Sequence, residues 1–485
     1  MNTAIIKNVA VNVTVQIVTI IAGFILPPLI VATYGSVQNG MVASIGQFIA
    51  YLALVEAGIS SVSIAALAKP LYDNDKNKIN SILAATQNFY SKAGGIFVSM
   101  ILILSLVYPH IVEGVDKFSA GLMVIVLSFI GIVDFFVIGK YRALLIADRK
   151  YFVLGVVKII AVILNTVVSI FLIKFGYSLL FVKFVSILIY VSNYLMILIY
   201  IKKRYGFINL KTKFDKNTLE QKWDMMYHRF AGIVLDNSPL VILTIFCSLS
   251  EVSIYSIYAL VFLAANQLVD TLYDGMQGFF GRFLAEDNPK KLKSSFGRYE
   301  TLYFFAAGIC YTCASLLTIP FMQIYTKNMT DADYIQPTLA ALFVLVGVMN
   351  KIRGPAAMLF ISAGHFKQTK WRAVLEAVIN IFASVFFVIK FGFTGVLLGT
   401  VCSLAYRAPD LIIYSSKHIV HNNLFITFTK IIALGIWYGC AYYILSNFMS
   451  ADIENYFVLA KNAGISLVFL AIPAGIVLLF YRKKA

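Results

Sequence analysis

Ionisable side chains recur in this sequence where their neighbours are apolar. Glu56 stands within LALVEAGIS, Asp134 precedes Lys140 and Arg142 in DFFVIGKYR, and Lys158 falls in GVVKIIAVI. A later apolar run opens with His228 and Arg229 and is interrupted by Asp236-Asn237-Ser238-Pro239. Asp270 and Asp274 are one helical turn apart and share a face, while Arg353 directly precedes Gly354-Pro355. Lys183, Glu376, Arg407 and Lys430 complete the set. Such a charge near the centre of a membrane helix costs about 2.5–3.5 kcal/mol and usually faces a cavity or a partner. The carboxylates Glu56, Asp236, Asp270, Asp274 and Glu376 could take up a proton or Na⁺, which makes them candidates for coupling or gating. Lys140, Arg142, Lys183 and Lys430 read as side chains that snorkel to a headgroup. For Glu56, Asp236 and Arg353 the alternative to a cavity is structural ion pairing between helices. Pro239 and Pro355 would free backbone carbonyls, which is tolerated only where the break faces protein or water. Charge beside a broken helix therefore points to a polar cavity.

Enzyme chemistry is not expected. The sequence has no HExxH, no GxSxG and no glycine-rich phosphate loop. Asp270 and Asp274 could imitate a catalytic acid pair, but no His or nucleophile accompanies them. Cys310 and Cys313 have CxxC spacing inside an apolar run without a nearby His, and they read as small packing residues rather than metal ligands. No metal site and no resident cofactor are expected.

The elements that would hold these groups are membrane helices. The chain of 485 residues is 60% hydrophobic and 13% charged, far from the roughly 25% charge of a soluble domain. Its formal charge of +17 is then expected to reside in cytoplasmic loops rather than on a nucleic-acid-binding face, for no polar basic domain exists. Spans of about 20 apolar residues are read at 9–33, 39–65, 84–109, 119–142, 151–174, 177–201, 225–248, 252–279, 299–324, 335–361, 369–390, 393–415, 425–447 and 458–481, about fourteen in all. The first of these is too long for the h-region of a cleavable signal. Lys and Arg collect on one side, in 202–224 above all and at Arg482-Lys483-Lys484, so both termini are expected in the cytoplasm.

FLIKFGYS from Phe171 returns as FVIKFGFT from Phe387, at an offset of 216 residues. The same offset lays Ala147-Asp148-Arg149-Lys150 on Ala363-Gly364-His365-Phe366. An even number of spans intervenes, so the copies are parallel repeats, whose substrate sites in known folds lie at the repeat interface. The expected architecture is an all-α polytopic membrane protein. It has two six-helix lobes, 1–210 and 211–420, and an additional helix pair in 421–485. Each KFG is expected in a tight outer turn whose glycine supplies the permissive backbone.

Several phrases carry a family resemblance: Tyr34-Gly-Ser-Val-Gln-Asn-Gly40, SIGQFIAYLALVEAGISS and AALAKPLYDNDKNKIN, then VILTIFCSLSEVSIYSIYALV from Val241, PFMQIYTKNMTDADYIQP from Pro320 and ISAGHFKQTKWRAVLEAVINI from Ile361. The chain resembles the polysaccharide repeat-unit (Wzx-like) flippases of the multidrug and oligosaccharidyl-lipid exporter superfamily, over residues of about 5 to 415. One departure stands out. The family commonly has an Asp just before the VxLT of span 7, where this chain has Pro239, with its acid at Asp236.

The resemblance implies a MATE- or lipid-flippase-like fold in a bacterial inner membrane. It also implies an undecaprenyl-pyrophosphate-linked oligosaccharide as substrate, turned to the outer leaflet for capsule or O-antigen-like polysaccharide, with the pathway's polymerase and export machinery as partners. A sugar carrying two phosphates needs a wet, cationic path. Arg353, Arg229 and Arg407 could supply bidentate phosphate contacts, with Lys158 and Asn237 beside them. Trp437, Tyr438 and Phe428 could line a groove for the polyprenyl tail, or form an interfacial aromatic belt. The competing expectations are a cation-coupled multidrug or metabolite exporter and, third, a membrane glycosyltransferase or polymerase. The last usually carries a large outer catalytic loop, and outer loops here stay within about 12 residues. Glu56, Asp236, Asp270 and Asp274 could bind H⁺ or Na⁺, and membrane potential acting on a cationic cavity would serve as well.

Overall fold

The computed structural model describes residues 3–56, 58–210, 223–286, 288–448 and 455–483; within its helices the side chains of 3–6, 9, 223–230, 285, 473, 474 and 476–483 lie outside the described ones. The regular structure described is helical. Among the described residues, ten helices are long and apolar enough to cross a membrane, or up to 11 when a bent pair is taken as one span. This is a multi-pass membrane protein. Fourteen spans were expected, and each expected range coincides with a helix or a helix pair. Part of the difference is physical, since the segment 366–420 is helical through its short turn and forms one apolar run, and Ile59–Tyr72 is shorter than a span. The helices Trp223–Phe246 and Tyr456–Lys483 enter the count only through their described stretches, Ala231–Phe246 and Tyr456–Ile472.

Contacts divide the chain into Met1–Ser253 and Ile254–Ala485. The first unit contains α1 (Thr3–Tyr34), α2 (Ser36–Leu52), α3 (Ile59–Tyr72), α4 (Lys76–Ile111), α5 (Lys117–Val133), α6 (Gly139–Ala147), α7 (Tyr151–Lys174), α8 (Leu179–Arg204), α9 (Trp223–Phe246) and the first turn of α10 (Leu249–Ala285). Two of its spans are broken. A 3₁₀ turn, Ala53–Glu56, ends α2, and Gly58 follows with φ 96°. A π-helical turn, Asp134–Ile138, separates α5 from α6. The core forms where α4 packs on α5 and the π-turn, through Tyr90, Phe97, Tyr108, Met123 and Phe135.

By its contacts α9 belongs to this unit. Thr244 donates to Ser44 at 2.7 Å, and Tyr51 donates to the Val234 carbonyl at 3.1 Å. Ser36 and Ser250 pair at 2.9 Å, and Asn39 reaches Ser253 at 2.8 Å. Gly40 permits this approach, since a Cβ there would overlap the Leu249 carbonyl.

The second unit continues α10 and adds α11 (Pro289–Tyr325), α12 (Pro337–Ile352), α13 (Gly354–Ala363), α14 (Phe366–Phe391), α15 (Gly395–Ser415), α16 (Leu424–Phe448) and α17 (Tyr456–Lys483). α12 and α13 meet at a bend of 40°. Arg353 is the joint, and Gly354-Pro355 opens the new helix, where proline's missing N–H costs nothing. Pro239, in contrast, stays inside an unbroken α9. α16 is docked on α11 by Glu300, which accepts from Lys430 at 2.8 Å and Thr427 at 2.9 Å. Further along, the Tyr438 hydroxyl donates to the Phe305 carbonyl at 3.0 Å.

Both KFG turns have left-handed glycines, Gly176 at φ 76° and Gly392 at φ 67°. At the same offset Ala147 and Ala363 each end a helix, and Arg353, the joint of the second unit, falls on Val137 inside the π-turn of the first.

Candidate functional site

Each unit builds an ion-pair network where a span is broken. In the first, Arg142 on α6 places one guanidinium nitrogen 3.0 Å from Glu56 and 2.7 Å from Asp134. Tyr90 of α4 donates to the same Glu56 oxygen at 2.6 Å. The two backbone irregularities position the acids, because Glu56 ends the 3₁₀ turn and Asp134 opens the π-turn. Beside them, Lys140 donates to Gln87, whose amide also donates to the Phe136 carbonyl in the π-turn. The snorkelling expected of Arg142, Lys140 and Lys430 gives way to these contacts. A low-dielectric interior rewards a partner more than a short reach to the surface.

The second unit holds the larger network. Arg353 bonds Asn350 at 2.8 Å through Nε and Glu376 at 2.5 Å through a terminal nitrogen. The other Glu376 oxygen lies 3.2 Å from Arg407 Nε. Arg407 also reaches Asp410 at 2.5 Å, and the second oxygen of Asp410 binds Arg372 at 2.5 Å. The result is an alternating row, Arg353–Glu376–Arg407–Asp410–Arg372, with three cations and two anions. Its centre is dry and its ends are open. The Arg407 side chain is 4% exposed, against 21% for Arg353 and 42% for Arg372.

α14 and α15 hold the row in register through a close approach, for a Cβ on Gly399 would overlap Ser384. The polar seam continues along α14 to Asn380, which donates to Thr400 at 3.2 Å and Ser403 at 3.3 Å. On the other side of the joint, buried Lys351 binds Asp270 of α10 at 2.6 Å. Ion pairs thus tether the broken span to α10 on one side and to α14 on the other.

The structure joins Arg353, Arg407 and Glu376 of the expected site. Asp270 is tied to Lys351, and Asp274 is exposed one turn further along α10. Lys158 is exposed on α7 without an ion pair among the described residues. Asn237 donates back to the Ile233 carbonyl at 2.7 Å, and Asp236 beside it is exposed. Arg229 falls in α9, but its side chain lies outside the described residues. Sequence reasoning missed Arg372, Asp410 and Lys351. A signal existed, since Arg372 and Glu376 are spaced i,i+4 and Arg407 and Asp410 i,i+3, the separations that meet on one helix face.

An apolar cavity of about 310 Å³ adjoins α16. Gly308 and Tyr311 of α11, Val344 and Val348 of α12, and Leu434 and Tyr438 of α16 line it. Of the three aromatics expected to line a groove, Tyr438 is in the wall. Trp437 instead stacks on Phe469, with ring centroids 6.5 Å apart, and Phe428 is exposed elsewhere on α16.

The fold is shared with solved structures of a lipid flippase and of MATE transporters. A structure of the lipid II flippase MurJ, in an inward closed conformation, aligns over 97% of this chain and 99% of its own, with TM-score 0.68 and 14% identity. An inward-facing multidrug resistance MATE transporter of the MOP superfamily aligns over 85% of this chain and 96% of its own, with TM-score 0.64 and 15% identity. A further MATE structure, in complex with MaL6, aligns at TM-score 0.52 and 14% identity over 89% and 97% of the two chains. Identities this low establish the fold. No family model matches the sequence, and no curated protein does.

Proposed function

We propose that this protein carries an undecaprenyl-pyrophosphate-linked oligosaccharide from the inner to the outer leaflet of a bacterial cell membrane, for capsule or O-antigen-like polysaccharide. The observation that carries the reading is the net-cationic row from Arg353 to Arg372, set at the joint of a broken span. Guanidinium is the side-chain cation suited to phosphate, because its planar fork matches two oxygens at once. The full-length likeness to a lipid II flippase supports a lipid-linked substrate, and the apolar cavity bounded by Tyr438 offers hydrocarbon a place beside the helix pair.

In this reading the lobes are 1–210 and 211–420, with 421–485 as the added pair, both termini are cytoplasmic, and access alternates between the two sides of the membrane. The glycan's polymerase and export machinery act downstream. Arg353 contacts phosphate, with Arg229, Lys158 and Asn237 as further substrate contacts. Glu56, Asp236, Asp270, Asp274 and Glu376 couple or gate transport, by H⁺, by Na⁺ or through membrane potential at about 2.3 kcal/mol per charge per 100 mV.

The test is translocation of a fluorescent lipid-linked oligosaccharide in proteoliposomes. Arg353→Ala is expected to abolish it while leaving membrane insertion intact, and full activity of that variant would remove Arg353 from the mechanism. The MATE likeness favours a second reading, a cation-coupled exporter of small molecules. Ion-driven dye extrusion by the wild type, without glycolipid movement, would establish that reading instead.

A further inference from the structure

Arg372 was no part of the expected site, yet it is the most accessible cation of the row. It sits six residues into α14, about 9 Å from that helix's first residue and nearer the end than Glu376 at about 15 Å. Its guanidinium lies 5.2 Å from the centre of the Tyr414 ring. That ring is buried, hydrogen-bonded through its hydroxyl to His365 at 3.1 Å, and packed on His418 at 4.8 Å. The cation is therefore seated on a fixed aromatic surface and held at one corner by Asp410. Arg372 makes a single hydrogen bond among the described residues, so most of its five donors are left without an acceptor among them.

We infer that Arg372 is a separate capture station for phosphate at the inner end of the row, filled before Arg353. The charge arrangement gives the reason. Arg407 is bound by both carboxylates. When a phosphate takes Arg372, Asp410 keeps its bond to Arg407, and when the phosphate moves to Arg353, Glu376 keeps its own. Neither exchange strands a buried carboxylate, the event that makes breaking an ion pair costly. Arg407 is thus a positioning residue shielded from the ligand, and its two outer neighbours are the exchangeable sites. The ligand chemistry is a phosphate or pyrophosphate group. That the group belongs to a lipid carrier rests on the translocation reading above.

The experiment uses the full chain in nanodiscs of neutral phosphatidylcholine. Farnesyl pyrophosphate, farnesol, inorganic pyrophosphate and phosphatidylglycerol vesicles are the probes. Arg372→Gln is expected to weaken farnesyl pyrophosphate binding about tenfold, the loss of one charged hydrogen-bonding partner, and Arg372→Lys to restore part of it. Asp410→Asn releases Arg372 from its competitor and is expected to tighten binding, a gain that misfolding cannot produce. In transport, Arg372→Gln should raise the substrate concentration needed for half-maximal rate, whereas Arg353→Gln should lower the maximal rate.

Unchanged farnesyl pyrophosphate binding in Arg372→Gln, with the wild type still preferring it to farnesol, overturns the station and leaves the translocation reading standing. Loss of vesicle attachment alone overturns it too, by making Arg372 a membrane-surface anchor. A wild type that does not distinguish farnesyl pyrophosphate from farnesol overturns the translocation reading, and binding of inorganic pyrophosphate that Arg372→Gln abolishes would then keep the station as a site for free phosphate.

Discussion

Glu376 joins two arginines through its two oxygens, at 2.5 Å to Arg353 and 3.2 Å to Arg407, and its side chain is only 5% exposed. Removing one member of such a buried set leaves the remainder undercompensated, at a cost of about 3–5 kcal/mol. Glu376→Gln should therefore lower the thermal unfolding midpoint of the purified protein. Glu376→Gln combined with Arg353→Gln should recover part of that loss, because the pair is then absent rather than broken. If the single and double variants melt like the wild type, the row contributes nothing to the fold. The residue types of this row were legible in the sequence, and Arg353, Glu376 and Arg407 stood out as charges in apolar surroundings. Their partnership was not legible, because it depends on how α14 turns against α15.

Helices reach the required closeness where a side chain is missing. Gly399→Ala would set a methyl group against the Ser384 backbone and part the two helices that carry Glu376 and Arg407. The expected result is a lower unfolding midpoint together with lost transport; normal behaviour would mean that α15 can shift without disturbing the row. The start of α5 offers a milder test. Asp116 accepts the Ser119 amide at 2.8 Å, and that backbone hydrogen bond holds its carboxyl below the usual carboxylate range. A group lowered on folding contributes above its unfolded pKa and loses that contribution as pH falls through the folded value. Corrected for intrinsic exchange, the protection of amides in the first turn of α5 should thus fall in acid, and Asp116→Asn should abolish that pH dependence. Asp116 stands where an N-cap is expected, so this feature is written locally. The 3₁₀ turn at Glu56 and the π-turn at Asp134 are not: the π-turn has no proline or internal glycine, and neither break was foreseen.

Across the whole molecule the same design recurs. A broken span carries charged groups that bind neighbouring helices, at Asp134–Arg142 in the first unit and at Lys351–Arg353 in the second, and the two breaks coincide at the offset of the repeated KFG phrase. The helix pair is fastened separately, where Lys430 meets buried Glu300 and where Tyr438, Leu445 and Leu470 pack with Phe305 and Leu316. Lys430→Met should leave Glu300 with Thr427 alone and loosen α16, seen as faster proteolysis within α16 and a lower unfolding midpoint. An unaltered digestion pattern would mean that Tyr438 and the apolar contacts suffice to dock the pair.

By itself the sequence determined what depends on near neighbours in the chain: the membrane character, the helices, the left-handed turns at Gly176 and Gly392, and the break ahead of Gly354-Pro355. Hydropathy and backbone permissiveness are properties of short stretches, and a short stretch displays them directly. Only the tertiary structure decided which charges neutralise one another, that Arg407 is enclosed by two carboxylates while Arg353 and Arg372 keep open edges, and that Arg142 is an ion-pair partner of Glu56 and Asp134. Coulombic pairing acts over a few ångströms between helices far apart in sequence, so the final packing alone could assign it.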